Sequence, residues 1–287
     1  MTKVRCFSDY CNFDSTVYNR VYARTDDKIE FVNDDSYTHV IIINKAMPNI
    51  SHIPKENVIG LSYEPLELMH FDEEFIKYAS NHISRYFIGK KGDLPPPFEE
   101  HYTFQCHNWA DTVYKSYEDK PKVLSMMVSH KSYLPGHMYR INLAIKLSKM
   151  NIPVDIYGSG CSLLKNILGE NKEWPHIKGS FEKDEMLYSD YKYSIAIENT
   201  VSKKYISEKL TNCFVHNTIP VYIGAEDAEE IFGGDCCLRL CGDMNEDLKL
   251  INNILSDPDN YKINIEEFRD KLFNKDCSLI EFLKSIW

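Results

Sequence analysis

Four side chains suited to gripping a charged, hydroxyl-rich ligand, Glu198, Asn199, Glu208 and Lys209, stand at the two ends of one polar loop. The run before that loop, Tyr193 to Ile197, reads as a buried strand. Glu208 to His216 reads as a helix, and Ile219 to Ile223 as a second strand closed by Gly224. In open α/β sheets, ligands bind beyond the carboxyl ends of strands and at helix N-termini, where unpaired N–H groups attract anions. This arrangement fits a sugar nucleotide. Glu208 in a first helical turn is also what the helix dipole favours, so a capping role stays open for it. Lys209 runs against that preference, which makes sense if an anion sits at the helix end.

Other candidates lie upstream. Glu64, in Leu61-Ser-Tyr-Glu64-Pro65, leaves a predicted strand where a carboxylate could take a proton from a hydroxyl, with burial raising its pKa. A capping role for Glu64 ahead of Pro65 at a first helical position is the alternative. Ser129 follows another strand and could cradle a phosphate with its hydroxyl and nearby amides. Arg140, in the helix after it, could hold a diphosphate bidentately, though an arginine on an amphipathic helix is often only solvated.

Metal chemistry finds little support in the sequence. His130 and His137 have no third ligand at a suitable spacing, and Cys236, Cys237 and Cys241 are poorly spaced for tetrahedral zinc. The one Asp-x-Asp match, Asp257-Pro-Asp259, reads as a turn between late helices. There is no Walker loop, and Gly158-Ser-Gly160 lacks the third glycine of a dinucleotide fingerprint. Charge neutralisation by Lys and Arg is the expectation.

The elements that must position these residues alternate along the chain. Tyr37–Asn44 and Lys55–Tyr63 read as strands, Glu73–Tyr78 as a helix and Ile83–Ile88 as a strand. The breaker run Gly89 to Pro97 follows. Lys122–Ser129 then reads as a strand, Met138–Met150 as a helix of period 3.6, Pro153–Tyr157 as a strand and Glu182–Ser189 as a helix. Helices dominate after Ile223. Such alternation implies parallel sheets with helices on both faces. We read two Rossmann-like domains joined near residues 105–122, one over 1–115 and one over 116–287. The final helices are free to pack back on the first domain.

Bulk properties agree with a globular chain. Of 287 residues, 43% are hydrophobic and 26% charged, an ordinary soluble balance. The net charge of -10 argues against a nucleic-acid partner, which requires a basic face. No apolar run approaches a membrane span, and the N-terminus lacks the apolar core of a secretory signal. Nine scattered cysteines suit reduced thiols better than a disulfide framework. A soluble, cytoplasmic protein is expected.

The stretch 191–225 resembles the donor-binding motif of the α-1,3/α-1,4-fucosyltransferases, glycosyltransferase family 10. The residues that carry this are Tyr191-Lys192-Tyr193, Glu198-Asn199-Thr200, Tyr205-Ile206-Ser207-Glu208-Lys209 and Ile219-Pro220-Val221 through Gly224. Ile197, Thr200 and Ser207 replace the usual Phe, Ser and Thr. Val128-Ser129 and Tyr139-Arg140 resemble the family's Val-Ser-Asn and its Arg-bearing helix, with His130 in place of Asn. Val154 to Gly158 is similar to the strand before its nucleotide-contacting turn, which adds Tyr157. Tyr63-Glu64-Pro65 aligns by position with the family's acidic segment. The similarity covers residues 122–225 and is looser on either side.

The resemblance implies a GT-B fold, two Rossmann-like domains with parallel sheets facing a cleft, the acceptor-binding domain over 1–115 and the donor-binding domain over 116–287. It implies a glycosyltransferase that moves fucose from GDP-fucose to a hydroxyl of an oligosaccharide or glycan, with inversion and an α-1,3 linkage. No metal cofactor is implied. Carried onto this sequence, Arg140 and Lys209 would neutralise the diphosphate, and Asn199, Tyr205 and Glu208 would contact the donor. Ser129, Tyr157 and Glu198 complete the donor-binding set, and Glu64 would be the general base. A different nucleotide-sugar donor, or a non-catalytic nucleotide-sugar or glycan-binding protein, are the alternatives.

Overall fold

The computed structural model describes residues 1–22, 28–106, 109–169 and 172–287. Runs of β-branched residues form the centre of each half. Val40, Ile41 and Ile42 are sealed from solvent on both faces of their strand, as an unbroken apolar run requires. The first half contains strands β1 (Thr2–Ser8), β2 (Ile29–Phe31), β3 (His39–Ile43), β4 (Val58–Leu61), β5 (Arg85–Ile88) and β6 (Phe98–Glu100). They pair in the order β2-β1-β3-β4-β5-β6, all parallel. The second half contains β7 (Lys122–Met127), β8 (Asp155–Tyr157), β9 (Ile177–Gly179), β10 (Tyr191–Ile197), β11 (Ile219–Ile223) and β12 (Leu238–Arg239). Their order is β12-β11-β10-β7-β8-β9, again all parallel.

The second sheet reverses direction between β7 and β10. The chain winds one way from β7 through β9, then crosses back to lay β10 on the other side of β7. Such a switch point leaves a crevice at the strand ends, where ligands of open α/β sheets bind. Ser129 follows β7 and Asn199 follows β10, so both candidates stand at its edges. The helix Pro135–Lys149 leads away from the same point and brings Arg140 back over it.

Two glycines allow these approaches. A Cβ on Gly136 would lie 1.9 Å from the Glu198 carbonyl oxygen, and the Gly136 N–H donates to the Asn199 carbonyl at 3.0 Å. A Cβ on Gly89, at the end of the first sheet, would lie about 3 Å from the Tyr205 backbone of the second half. Contact between the halves continues at the C-terminus. The helix Leu279–Ile286 lies on the first sheet, with the Phe282 ring 5.1 Å from Phe87 and 4.7 Å from Phe104. The Leu279 N–H donates to the Tyr22 hydroxyl.

The predicted strands and helices in the β3–β5 and β7–β11 regions are present, with ends shifted by a few residues. Five strands, β1, β2, β6, β9 and β12, were not foreseen in the sequence. In β1 the buried Val4 and Cys6 alternate with Lys3 and Arg5, so its apolar content is diluted. Strands β9 and β12 span three and two residues, too short for periodicity to register. The two-residue β12 also interrupts the late run expected to be helical.

Gly136→Ala forces a backbone contact apart and should cost about 1–3 kcal/mol by the measure of overpacked sites. A urea melt checks it; an unchanged midpoint would mean the helix and the β10 end are not in the tight contact described.

Candidate active site

The Glu198 side chain determines how the second-half loop is folded. It is 1% exposed, and its carboxylate accepts from the Ser207 N–H at 2.8 Å and the Ser207 hydroxyl at 2.6 Å. The Tyr222 hydroxyl adds a longer contact at 3.5 Å. The end of β10 is thereby tied to the start of the helix Glu208–Val215. Burial raises the Glu198 pKa, with Lys209 and the Ser207 bonds pulling it back down. Glu198 consequently faces the protein and lies outside the cleft, contrary to its expected ligand contact. Its neighbour Asn199 points the other way, accepting from Arg140 at 3.0 Å and donating to the Tyr205 hydroxyl at 3.3 Å.

Lys209 is accounted for by protein groups. Its ammonium donates to the Ser207 hydroxyl at 3.0 Å and to Glu208 at 3.1 Å, and lies 3.8 Å from Glu198. The conflict between a lysine and the helix dipole, which pointed to a bound anion, is met here by two carboxylates. Arg140 is different. It is 3% exposed, makes no ion pair among the described residues, and its Nε is buried without a partner. Burial pulls its pKa below the usual arginine range, while Glu198 and Glu208 act from a distance to hold it up. A buried cation with one neutral partner is costly unless an anion completes it.

Glu64 reaches the same cleft from the first half. Asn44, in the left-handed region at φ 55°, accepts the Tyr63 N–H at 2.9 Å, and the Ser62 hydroxyl donates to the Glu64 carbonyl at 2.7 Å. Pro65 stands at the N-cap of the short helix Leu66–Met69 with no side-chain cap. Glu64 does not cap that helix, because its Oε2 is buried and unpartnered. Burial is the main cause of its raised pKa, opposed by the charges of Lys209 and Lys131. A carboxyl so placed accepts a proton more readily than a fully solvated one.

Gln105 joins the two walls. Its amide donates to the Tyr63 carbonyl, and its own carbonyl accepts from the Thr211 hydroxyl at 2.9 Å. Together the walls enclose a cleft of about 570 Å³ lined by Glu64, Ser129, Arg140, Asn199, Tyr205, Glu208 and Lys209. That volume lies within the range of small-molecule sites. Tyr157 lies elsewhere, its hydroxyl bonded to that of Tyr191 at 2.8 Å, which in turn donates to Asp155. These bonds spend its polar end inside the second sheet.

His137, weighed in the sequence only as a metal ligand, and Lys131 also line the cleft. His137 is 2% exposed and its Nδ1 accepts the Leu134 N–H at 3.2 Å, which leaves the proton on Nε2. Burial, then the charges of Arg140, Lys131 and Lys209, pull its pKa down to about 4. It is a neutral donor in the cleft at physiological pH. Its position three residues before Arg140, on the same helical face, was the available signal. Lys131, exposed at the rim, adds positive charge. Among the described residues, no cluster of His, Cys, Asp or Glu is placed to hold a metal ion, and none of the nine cysteines is in a disulfide.

Residues 117–239 match the C-terminal domain of glycosyltransferase family 10 (fucosyltransferase). This segment holds every second-half residue of the cleft. A fucosyltransferase-like protein of Arabidopsis thaliana is 34% identical over 92 residues, 32% of this chain and 15% of that protein. Alpha-(1,3)-fucosyltransferase C of Drosophila melanogaster is 33% identical over 119 residues, 42% of this chain and 24% of that protein. Both matches thus span less than a quarter of the relatives' length.

Solved structures extend the likeness to the whole fold. Anabaena HepE, crystallised with UDP, superposes with a TM-score of 0.61 at 12% identity, covering 99% of this chain and 100% of its own. An alpha1,3-fucosyltransferase crystallised with GDP-fucose gives 0.51 at 13% identity, covering 99% and 90%. The architecture is GT-B. No helix among the described residues is long and apolar enough to cross a membrane.

The charges of the cleft generate two predictions. Because Arg140 is buried without a counter-ion, Arg140→Met should keep or raise Tm in the ligand-free protein, by about 2–4 °C per kcal/mol relieved. A clear fall in Tm would mean that the guanidinium is structurally required. Glu64 has a raised folded-state pKa, so its contribution to stability is greatest at acid pH and is lost as pH rises through that value. Glu64→Gln should therefore melt higher than the parent at pH 7, with the gap closing below the ordinary carboxylate range. A lower melting point for the variant at pH 7 would contradict the burial argument.

Proposed function

We propose that this chain transfers fucose from GDP-fucose to a hydroxyl of a glycan acceptor, inverting the anomeric centre and forming an α-1,3 linkage. The observation that carries the reading is Arg140, a buried guanidinium with no counter-ion, open to the cleft and faced by Glu64 across it. The family 10 match over residues 117–239 supports fucose as the sugar, and the likeness in fold to a fucosyltransferase crystallised with GDP-fucose supports GDP as its carrier.

In this reading the acceptor oxygen attacks the anomeric carbon as Glu64 takes its proton. The bond from that carbon to the diphosphate oxygen breaks, and its electron pair stays on the diphosphate. Positive charge aimed at that oxygen gains in value as negative charge accumulates there, and this lowers the barrier. Arg140 supplies it from a water-poor site. His137 adds a neutral N–H, and Lys131 a rim cation. Lys209, shared with Glu198 and Glu208, orients Glu208 toward the ribose or sugar hydroxyls. The reading requires no metal ion.

Glu64→Gln should retain GDP affinity by calorimetry while turnover falls by about two to four orders of magnitude, as for a lost general base. Near-normal turnover would place the base elsewhere. Arg140→Lys keeps the charge but loses the planar fork, and should weaken GDP binding about tenfold or more. UDP binding as tightly as GDP would remove the donor assignment, and a rate abolished by EDTA and restored by magnesium would remove the metal-free one.

A further inference from the structure

The two walls of the cleft differ in chemistry. The second-half wall carries Lys131, His137, Arg140, Asn199, Glu208 and Lys209. The first-half wall carries Phe13, Val17, Val21, Ile43 and Trp109 as its apolar part. With them are the smaller polar groups of Ser8, Asn44 and Gln105 and the rings of Tyr10, Tyr18 and Tyr63. Among its described lining residues, Glu64 is the only charged one. Its polar atoms are largely committed to each other. The Tyr18 and Tyr63 hydroxyls share a hydrogen bond, the Gln105 amide is spent on the Tyr63 carbonyl, and the Asn44 side-chain oxygen takes the Tyr63 N–H.

A sugar with hydroxyls on every side would lose water against this wall and find few replacement partners, which is costly. An apolar group would gain from the same burial. The wall is continuous with the charged one in a single cavity, and the buried unpaired oxygen of Glu64 lies at their junction. We infer that the acceptor is a glycoside bearing an apolar aglycone. Its hydroxyl lies at Glu64 and its alkyl or aryl group lies along Phe13, Val17, Val21 and Trp109. The inference rests on the proposed division of the cleft into donor and acceptor walls.

The test measures binding of methyl, butyl and phenyl glycosides of one set of hexoses to the full chain with saturating GDP, by saturation-transfer NMR. Butyl and phenyl glycosides should bind about tenfold or more tightly than their methyl counterparts, as expected for several buried carbons. Val17→Asp and Phe13→Ser, both at half-exposed positions, should each remove that preference; the second guards against a folding defect in the first. Equal affinity across the series, no binding of any apolar glycoside, or a preference that survives both substitutions would overturn the inference. GDP titration of the parent protein is the separate check on the donor reading. Failure to bind GDP with the aglycone preference intact would count against the donor reading and leave this one standing.

Discussion

A carboxylate removed from water must find donors nearby, and Glu198 finds both of its own on Ser207. That demand closes the loop after β10 on itself and sets the first turn of the following helix. Asn199, next in the chain, is turned outward by the same constraint and receives Arg140. Gly224 leaves room for the Glu198 side chain, since a Cβ there would meet its Cγ at 2.4 Å. Gly136 does the same for the approaching helix. The ligand-facing groups of the second half are therefore positioned by one acid that faces away from the ligand.

Charge is distributed unevenly over this frame. Lys209 is held by two carboxylates, so the helix start is close to neutral as a cradle for anions. Arg140 lacks a carboxylate partner, and the uncompensated charge lies where the sheet changes direction. Functional sites commonly keep such local costs because the ligand relieves them. The opposite wall brings a carboxyl whose own burial favours accepting a proton. One group ready to take a proton and one ready to receive negative charge thus face each other across a space the size of a small ligand.

Much of this was legible in the sequence, for identifiable reasons. Strand β11 has the predicted bounds because Ile219 to Ile223 is a short apolar run ended by glycine. The cleft residues Glu64, Ser129, Asn199, Glu208 and Lys209 stand at or just beyond element ends, where an α/β fold exposes side chains, whereas Arg140 lies inside a helix and Tyr205 came from the resemblance. Glu198 occupies an equally suggestive position and is structural, because only packing decides on which side of the chain its carboxylate falls. Tyr157 was selected by resemblance, yet a hydroxyl pairing with a tyrosine 34 residues away leaves no local trace. Gln105 was invisible for the same reason, since both of its bonds reach partners distant in sequence.

The Gln105 bridge has a mechanical consequence. Its side chain holds the turn that carries Glu64, and its backbone holds the helix that carries Glu208 and Lys209. Glu64 and the helix carrying Glu208 and Lys209 are thus referenced to one residue, as two jaws to a common pivot. The spacing between them is a property of the linker, and a change at position 105 would alter their alignment while leaving each jaw intact.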